Sequence, residues 1–319
     1  MNLLERYLHG DTIEVYEEIE RMGQDAFERS RFREIKAVLN ETMTRVAYNL
    51  DVIQSALVSE KYCFKKNPRY DFEFPLLKPR WGAQLRIHRL ERTVRKFGNV
   101  PLSLKVFYKV VGSCNFAWDY DSNDTIPWGG ADPIQIFSVA DLLAEAKQIE
   151  QDDETIGLPV SADYYHKDNI SGGPAYSVEL TTEPQVDSRF LNEEHETTFV
   201  NYLRIALENC GFSRAYAVKD LPDFISYCKK VKPYLRISGN SWNNTRSPGA
   251  RIKKESFSTR VFSNYTRKCY IDQFNFSFVI SLGDHEKACW EYLKPLSLGQ
   301  KQTYILRLRA TRSGSIATR

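Results

Sequence analysis

The hydrophobic positions of the first 60 residues repeat with a helical period. Between residues 13 and 60, apolar side chains recur at spacings of three, four and seven, and no proline interrupts the segment. We therefore predict two helices with a break near Ser30–Phe32, which together form a helical N-terminal segment over residues 1–61. The positions that define the apolar face are Ile35, Val38, Leu39, Val46, Leu50, Ile53 and Leu57.

The middle of the chain, residues 62–235, alternates between helical and strand-like patterns. The order is helix, strand, strand with helix, hairpin and helix. That order predicts an α+β fold, in which helices surround a mainly antiparallel sheet. The predicted elements are helices Gln84–Phe97 and Leu102–Val111, strands Cys114–Trp118 and Pro133–Phe137, a helix Val139–Ile149 capped by Ser138, a hairpin built from GLPVSADYYH and AYSVEL, and a helix Phe199–Cys210 capped by Thr198.

The composition changes again in the last part of the chain, residues 236–319. The stretch ISGNSWNNTRSPGARIKKES is rich in Ser, Asn, Gly and Arg, which is typical of a loop. Three aromatic and β-branched runs follow, TRVFSNY, KCYIDQFNFSFVISL and TYILRLRA, and they predict strands. We expect a basic, strand-rich C-terminal extension of the α+β domain.

The net charge of +3 conceals a strong asymmetry between these parts. Residues 236–319 hold 15 Lys and Arg against 5 Asp and Glu, a balance of +10. Residues 1–235 hold 29 against 36, a balance of −7. The basic part therefore suits docking on an acidic partner, on nucleic acid or on the acidic body of its own chain.

Composition also sets an expectation for the compartment. The chain begins without a basic segment followed by an apolar run, which argues against a secretory signal. No apolar stretch approaches the roughly 20 residues that span a bilayer. We expect a cytoplasmic protein with no membrane partner, in which the six cysteines are reduced thiols.

One polar stretch, YYHKDNISGGPAY at 164–176, resembles a catalytic site at first sight. Adjacent residues on a strand point to opposite faces, so its His-Lys-Asp triplet does not converge on one substrate there. The Gly172-Gly173 pair lacks the strand–loop–helix context of a phosphate cradle. We predict a structural hairpin with a polar tip that contacts a partner protein. The tip residues are His166, Lys167, Asp168 and Asn169.

Metal and catalytic motifs are incomplete throughout the chain. His285 and Cys289 lie four residues apart with Cys269 upstream, but no CxxC or HxxxH spacing supports zinc. The segment EEHETT at 193–198 lacks the second histidine of a zinc protease helix, and its acids suit the first turn of the following helix. No GxSxG or cysteine–histidine nucleophile motif is present. We predict no catalytic residue, metal or cofactor.

An acidic loop alternates aspartates in a way that suggests calcium ligands. It lacks the glycine and the closing glutamate of a calcium loop, so a solvated loop is the better interpretation. Its negative charge makes it a candidate contact for a basic partner. The aspartates are Asp119, Asp121 and Asp124.

Basic and aromatic residues interleave between 251 and 270. Phosphate contacts combined with stacking aromatics hold single-stranded nucleic acid without sequence readout. The alternative is a solvated basic surface over a strand-rich segment. The candidate nucleic-acid contacts are Arg251, Lys253, Lys254, Arg260, Arg267 and Lys268, interleaved with Phe257, Phe262, Tyr265 and Tyr270.

The middle of the chain resembles the SUKH superfamily over about residues 84–212. The resemblance is carried by VPLSLKVFYKVVGSCNF (100–116), ADPIQIFSVADLLAEA (131–146), LPVSADYYHKDNISGGPAYSVEL (158–180) and TFVNYLRIAL (198–207). It implies a non-enzymatic protein. Bacterial members of the family bind and neutralise toxins, often nucleases, and fungal relatives act in cell-wall signalling.

The residues and the resemblance agree on a protein-binding module without enzymatic activity, such as an immunity protein that neutralises a bacterial toxin. An acidic body complements a basic nuclease and accelerates its association. The alternatives are a nucleic-acid-binding protein that uses the basic aromatic segment, and an enzyme of a class that the motifs do not identify.

Overall fold

The computed structural model describes residues 1–66, 75–79, 81–121, 127–149 and 155–237, together with the backbone of two strands at 267–273 and 276–282. The chain divides into two compact units, Met1–Arg246 and Ser247–Arg319. The side chains of the second unit lie outside the described part of the chain. Within the described residues, no helix has the length and apolar character that crossing a membrane requires.

The N-terminal helices differ from the prediction at their break. Helices α1 (Leu3–His9) and α2 (Thr12–Met22) are followed by a 3₁₀ turn at Gly23–Phe27 and by the long helix α3 (Arg29–Ser59). The predicted break near Ser30–Phe32 therefore lies a few residues too late. Gly23 ends α2 with a φ of +51°, and the chain turns there. The predicted apolar face of α3 is confirmed, since all seven of its positions are buried.

The rest of the first unit has the α+β architecture that the sequence predicts. Two three-stranded antiparallel sheets, ordered β1-β2-β3 and β4-β5-β6, lie among helices. The Phe137 amide donates to the Val160 carbonyl at 2.8 Å and links the end of β3 to β4. The elements are β1 (Leu76–Leu77), α4 (Ala83–Val94), α5 (Leu102–Val110), β2 (Ser113–Asn115), β3 (Gln135–Ile136), α6 (Val139–Glu145), β4 (Gly157–Ser161), α7 (Tyr164–Lys167), β5 (Tyr176–Glu179), β6 (Phe190–Leu191), α8 (Phe199–Glu208) and α9 (Pro222–Val231).

The two predicted helix caps have different outcomes. Ser138 caps α6 in a reciprocal capping box with Asp141, as predicted. Thr198 occupies the cap position of α8 but makes no cap bond of its own. Asp187 instead caps the helix, because its Oδ2 accepts a hydrogen bond from the Val200 amide at 3.1 Å.

One hydrophobic core joins the N-terminal helices to the α+β elements. Helix α3 packs against α5, α8 and α9, and its buried side chains belong to the same cluster as those of the sheets. The segment 1–61 is therefore an integral part of the first unit. The border between units falls within the predicted extension 236–319.

In the second unit, the predicted strand KCYIDQFNFSFVISL forms two antiparallel strands, β7 (Arg267–Gln273) and β8 (Phe276–Leu282). The pairing runs from Arg267 opposite Leu282 to Gln273 opposite Phe276. The other two predicted strands, TRVFSNY and TYILRLRA, lie outside the described residues.

Candidate binding surface around helix α7

The predicted hairpin at 157–180 is correct in its pairing and wrong in its connection. Strands β4 and β5 pair antiparallel, but the link between them contains the helical turn α7. Asp163 caps this turn, since its Oδ1 accepts the amides of Tyr165 at 2.7 Å and His166 at 3.1 Å. Its Oδ2 lies 2.5 Å from Nδ1 of His166. An aspartate directly before YYHK is the sequence signal that predicts this cap.

The paired glycines allow the loop after α7 to cross over the cap. Gly173 has a φ of +28°, and a Cβ there would lie 2.7 Å from Cγ of Asp163 and within 3.0 Å of both carboxylate oxygens. Any larger residue displaces the cap. The close approach of two chain segments explains this glycine without an anion ligand.

Beneath α7 lies a buried ion pair. Nζ of Lys167 is 2.7 Å from Oδ1 of Asp132, and both side chains are fully buried. Oδ2 of Asp132 accepts hydrogen bonds from the hydroxyls of Ser213 at 2.6 Å and Tyr176 at 3.1 Å. The ammonium also lies 4.7 Å from the centre of the Tyr176 ring. The prediction that Lys167 contacts a partner is therefore wrong, because this residue is enclosed by the fold.

The four groups of this network, which we call the Asp132 anchor, are chemically capable of proton transfer. Burial raises the pKa of Tyr176 above that of an ordinary phenol, and the charge on Asp132 adds to the rise. However, none of the four residues is more than 2% exposed, so a substrate cannot reach them in this conformation. The geometry supports an anchor that fixes α7 to the body of the unit. Its members are Asp132, Lys167, Tyr176 and Ser213.

Large hydrophobic side chains are exposed at the surface near the anchor. Tyr165, Ile170 and Tyr216 are 40%, 53% and 53% exposed. Arg214 directly follows the anchor residue Ser213, and its guanidinium lies 3.9 Å from the centre of the Tyr164 ring. We call this surface the α7 face. Its members are Tyr164, Tyr165, His166, Ile170, Glu194, Arg214 and Tyr216.

Polar contacts hold the α7 face in order. Nε of Arg214 lies 2.9 Å from a carboxylate oxygen of Glu194 and donates to the Tyr216 hydroxyl at 3.0 Å. The same hydroxyl donates to Glu194 at 2.6 Å. Burial opposes the charge on Arg214, but the hydrogen bond to Tyr216 and the charge of Glu194 outweigh it and raise the guanidinium pKa.

The segment 193–198 differs from its prediction. Glu193 is buried and bonded to the ring and the amide of His195. These acids form a turn before α8, whose first turn holds no acidic residue. The expectation that they stabilise the first turn of that helix is wrong, and Glu194 instead belongs to the α7 face.

Of the other predicted tip residues, two are accessible. The His166 side chain is 52% exposed, and Asn169 is exposed with a φ of +58°. Asp168 is partly buried and accepts the Gly130 amide at 2.7 Å. Burial raises the pKa of Asp168, the Gly130 hydrogen bond opposes the rise, and the charge on Asp132 adds to it.

The acidic loop is only partly available to a partner. Asp119 is 7% exposed and its amide donates to the Cys63 carbonyl at 2.9 Å. The expectation that Asp119 lies in a solvated loop is therefore wrong. Asp121 is exposed, and Asp124 lies outside the described residues.

The predicted nucleic-acid contacts fall in the second unit. Arg267 and Lys268 begin strand β7. The remaining four, Arg251, Lys253, Lys254 and Arg260, lie outside the residues that the structure describes, so this interface stays a prediction. Across the described side chains, no group of three or more His, Cys, Asp and Glu residues is placed to hold a metal ion, and His285 and Cys289 lie outside them.

A cleft of about 290 Å³ lies between α2 and the start of α8. Its main cation, Arg204, stacks 4.3 Å from the Tyr16 ring and donates to the Thr12 carbonyl at 3.1 Å. Burial raises the pKa of the neighbouring Asp187, although several hydrogen bonds oppose the rise. Both charged groups thus have partners within the fold.

Fold and surface together define an α+β protein with an anchored aromatic face. Compared with protein-family models, with curated proteins and with solved structures, the chain matches none. The resemblance to the SUKH superfamily therefore stays a prediction.

Proposed function

We propose that this chain is a protein-binding module that uses the α7 face to hold a basic protein partner. The proposal rests on one observation, which is that exposed hydrophobic side chains lie next to a buried ion pair that holds them in place. Tyr165, Tyr216 and Ile170 are exposed together beside the partly buried Arg214, and a fully buried ion pair fixes this surface to the core.

The chemistry of the face suits a binding hot spot. Tyrosine and arginine are enriched at protein interfaces and among the residues whose truncation costs most affinity. The tyrosine rings give a large contact area with few rotatable bonds. The Tyr164 ring already contacts the Tyr165 ring and the Arg214 guanidinium, so less side-chain entropy is lost when a partner binds.

Charge supports a basic partner. Residues 1–235 carry a balance of −7, whereas within the face the charge of Glu194 is offset by Arg214. An acidic body attracts a basic protein and steers its approach. The resemblance to the SUKH superfamily adds a finer proposal, in which the partner is a nuclease toxin and the chain is its cytoplasmic immunity protein.

Site-specific photo-crosslinking in cells of the source organism tests the surface. A benzophenone amino acid replaces Tyr165 or Tyr216 in the full chain, and in control chains it replaces Leu85 or Val58, which lie outside the face and are at least as exposed. We expect one basic protein to be captured from both face positions and from neither control. The captured protein is then purified and must bind the unmodified chain. Equal capture from all four positions, or failure of the purified protein to bind, contradicts the proposal.

A second candidate is nucleic-acid binding, which the balance of +10 over residues 236–319 favours. The full chain is titrated with single- and double-stranded oligonucleotides at several salt concentrations. Binding whose logarithm falls linearly with the logarithm of salt supports this candidate. No binding at low salt removes it.

A further inference from the structure

Two cysteines approach each other where the segment after α8 packs against α9 in the first unit. Cys210 lies two residues after the last residue of α8, and Cys228 lies in α9. Sγ of Cys210 approaches the Cys228 carbonyl at 4.0 Å, and the Tyr227 hydroxyl donates to the Cys210 carbonyl at 2.8 Å. Contacts from Cys228 and from the adjacent Tyr227 therefore place Cys210 beside α9.

The two thiols are unequal. The neighbouring Cys210 thiol lowers the pKa of Cys228, with burial opposing and the charge of Lys232 assisting. The neighbouring Cys228 thiol, together with burial, raises the pKa of Cys210. Cys228 is partly exposed whereas Cys210 is buried. The exposed member is therefore the better nucleophile, and the buried member is placed to react second.

We propose that Cys210 and Cys228 form a reversible redox site that reacts with small-molecule disulfides such as glutathione disulfide. The Cys228 thiolate attacks one sulfur, forms a mixed disulfide and releases one glutathione thiolate. Sγ of Cys210 then attacks Sγ of Cys228, and the second glutathione leaves with the proton of the Cys210 thiol. Two protein thiols are oxidised by two electrons, and one glutathione disulfide is reduced to two glutathione molecules.

The bridge would tie α9 to the end of α8. The loop that it closes contains Phe212, which packs 6.2 Å from the Tyr227 ring in the aromatic core. The hydrogen bond from the Tyr227 hydroxyl to the Cys210 carbonyl already joins the two segments in the reduced protein. Oxidation should therefore leave the fold intact.

The other described cysteines serve as comparisons. Cys114 is buried, and burial raises its pKa to about 12, so it should not react. Cys63 is partly exposed like Cys228. Its thiol, however, contacts the carbonyl of Lys61, two residues earlier, at 3.8 Å. It is the matched control for exposure.

The experiment uses the full chain with Cys269→Ser and Cys289→Ser, incubated with glutathione disulfide. Free thiols are then blocked, and peptides are mapped by mass spectrometry. We expect a peptide pair joined through Cys210 and Cys228. The additional change Cys210→Ser should trap glutathione on Cys228, whereas Cys228→Ser should leave Cys210 unmodified.

The peptide map of the parent chain, with only Cys269→Ser and Cys289→Ser, decides the matter alone. The proposal therefore stays testable even if the Cys210→Ser or Cys228→Ser variant folds poorly. If Cys210 and Cys228 remain free thiols while Cys63 acquires glutathione, the proposal is wrong. It is equally overturned if glutathione accumulates on Cys228 of the parent chain without bridge formation.

Discussion

Lys167 illustrates how a single residue can couple the surface to the core. Its ammonium is enclosed with the carboxylate of Asp132, and the peptide that carries it also carries the exposed ring of Tyr165 and the side chain of His166. A buried charge that loses its partner is far more costly than an exposed one. The order of the α7 face therefore depends on this pair.

The first prediction concerns that pair. Lys167→Met leaves the Asp132 carboxylate buried without its counter-ion, and we expect the free energy of unfolding to fall by about 3–5 kcal/mol. The double variant Asp132→Asn with Lys167→Met should lose less than the sum of the single variants. Urea unfolding measures all three. Lys219→Met, at an exposed site, is the control, and a loss no larger for Lys167→Met than for this control would refute the account.

The second prediction concerns Asp168. Burial raises its pKa in the folded state, so the folded protein retains this proton to a higher pH than the unfolded chain. Stability from this group is therefore lost as pH rises from the ordinary carboxyl pKa through the raised one. Asp168→Asn has no charge and avoids that loss.

We expect the stability of Asp168→Asn relative to the natural chain to increase with pH across that window and to stay constant above it. Urea unfolding at a series of pH values gives this difference directly. Asp220→Asn, at an exposed site, provides the control curve. A difference that decreases as pH rises has the wrong sign for a raised pKa.

At the scale of elements, α7 is a very short helix that depends on its surroundings. Four residues do not form a stable helix alone, and α7 persists because Asp163 caps it and the Asp132 anchor holds it. The loop that crosses at Gly173 encloses the cap. Cap, loop and anchor together make one unit of structure.

The third prediction compares the two glycines of that loop. Gly173→Ala introduces a Cβ that meets the Asp163 carboxylate, whereas at Gly172 no atom lies within 4 Å. Both residues have positive φ, so both variants carry backbone strain. The loss of the cap should make Gly173→Ala about 1 kcal/mol less stable than Gly172→Ala in urea unfolding. Equal stabilities would show that the loop does not protect the cap.

Local patterns predicted the elements whose formation is itself local. The spacing of apolar residues predicted the buried face of α3, and Ser138 predicted the start of α6. The burial of Lys167 is different, because its partner Asp132 lies 35 residues away and only the tertiary fold brings them together. The same applies to Arg214 and Glu194, which no motif connects to α7. The position of Asp163 before YYHK was the one local signal that the sequence offered for this site.

At the scale of the molecule, charge is the dominant feature. The acidic body and the basic extension carry balances of −7 and +10, and they favour different partners. A basic protein would approach the body faster than diffusion alone permits, and added salt would screen this attraction. The contribution of one acidic region to the association rate can be separated from that of the net charge by comparing variants that change the net charge equally at different places.

The fourth prediction uses the acidic loop for this purpose. Asp121→Asn with Asp124→Asn should slow association of the crosslinked partner several-fold at low salt and flatten its salt dependence. Asp220→Asn with Asp223→Asn changes the net charge equally at another exposed place and should have a smaller effect. Stopped-flow association at several salt concentrations distinguishes the pairs. Unchanged association rates for the loop variant would eliminate steering by this loop.

The central claim is that the α7 face holds a protein partner, and the dissociation constant of that partner tests it most directly. The purified partner is titrated calorimetrically into the natural chain and into Tyr165→Ala, Tyr216→Ala and Leu85→Ala, each first shown to unfold like the natural chain. We predict that each tyrosine variant weakens binding about tenfold or more, and that Leu85→Ala changes it less than about twofold. Equal affinities for all four proteins would contradict the claim.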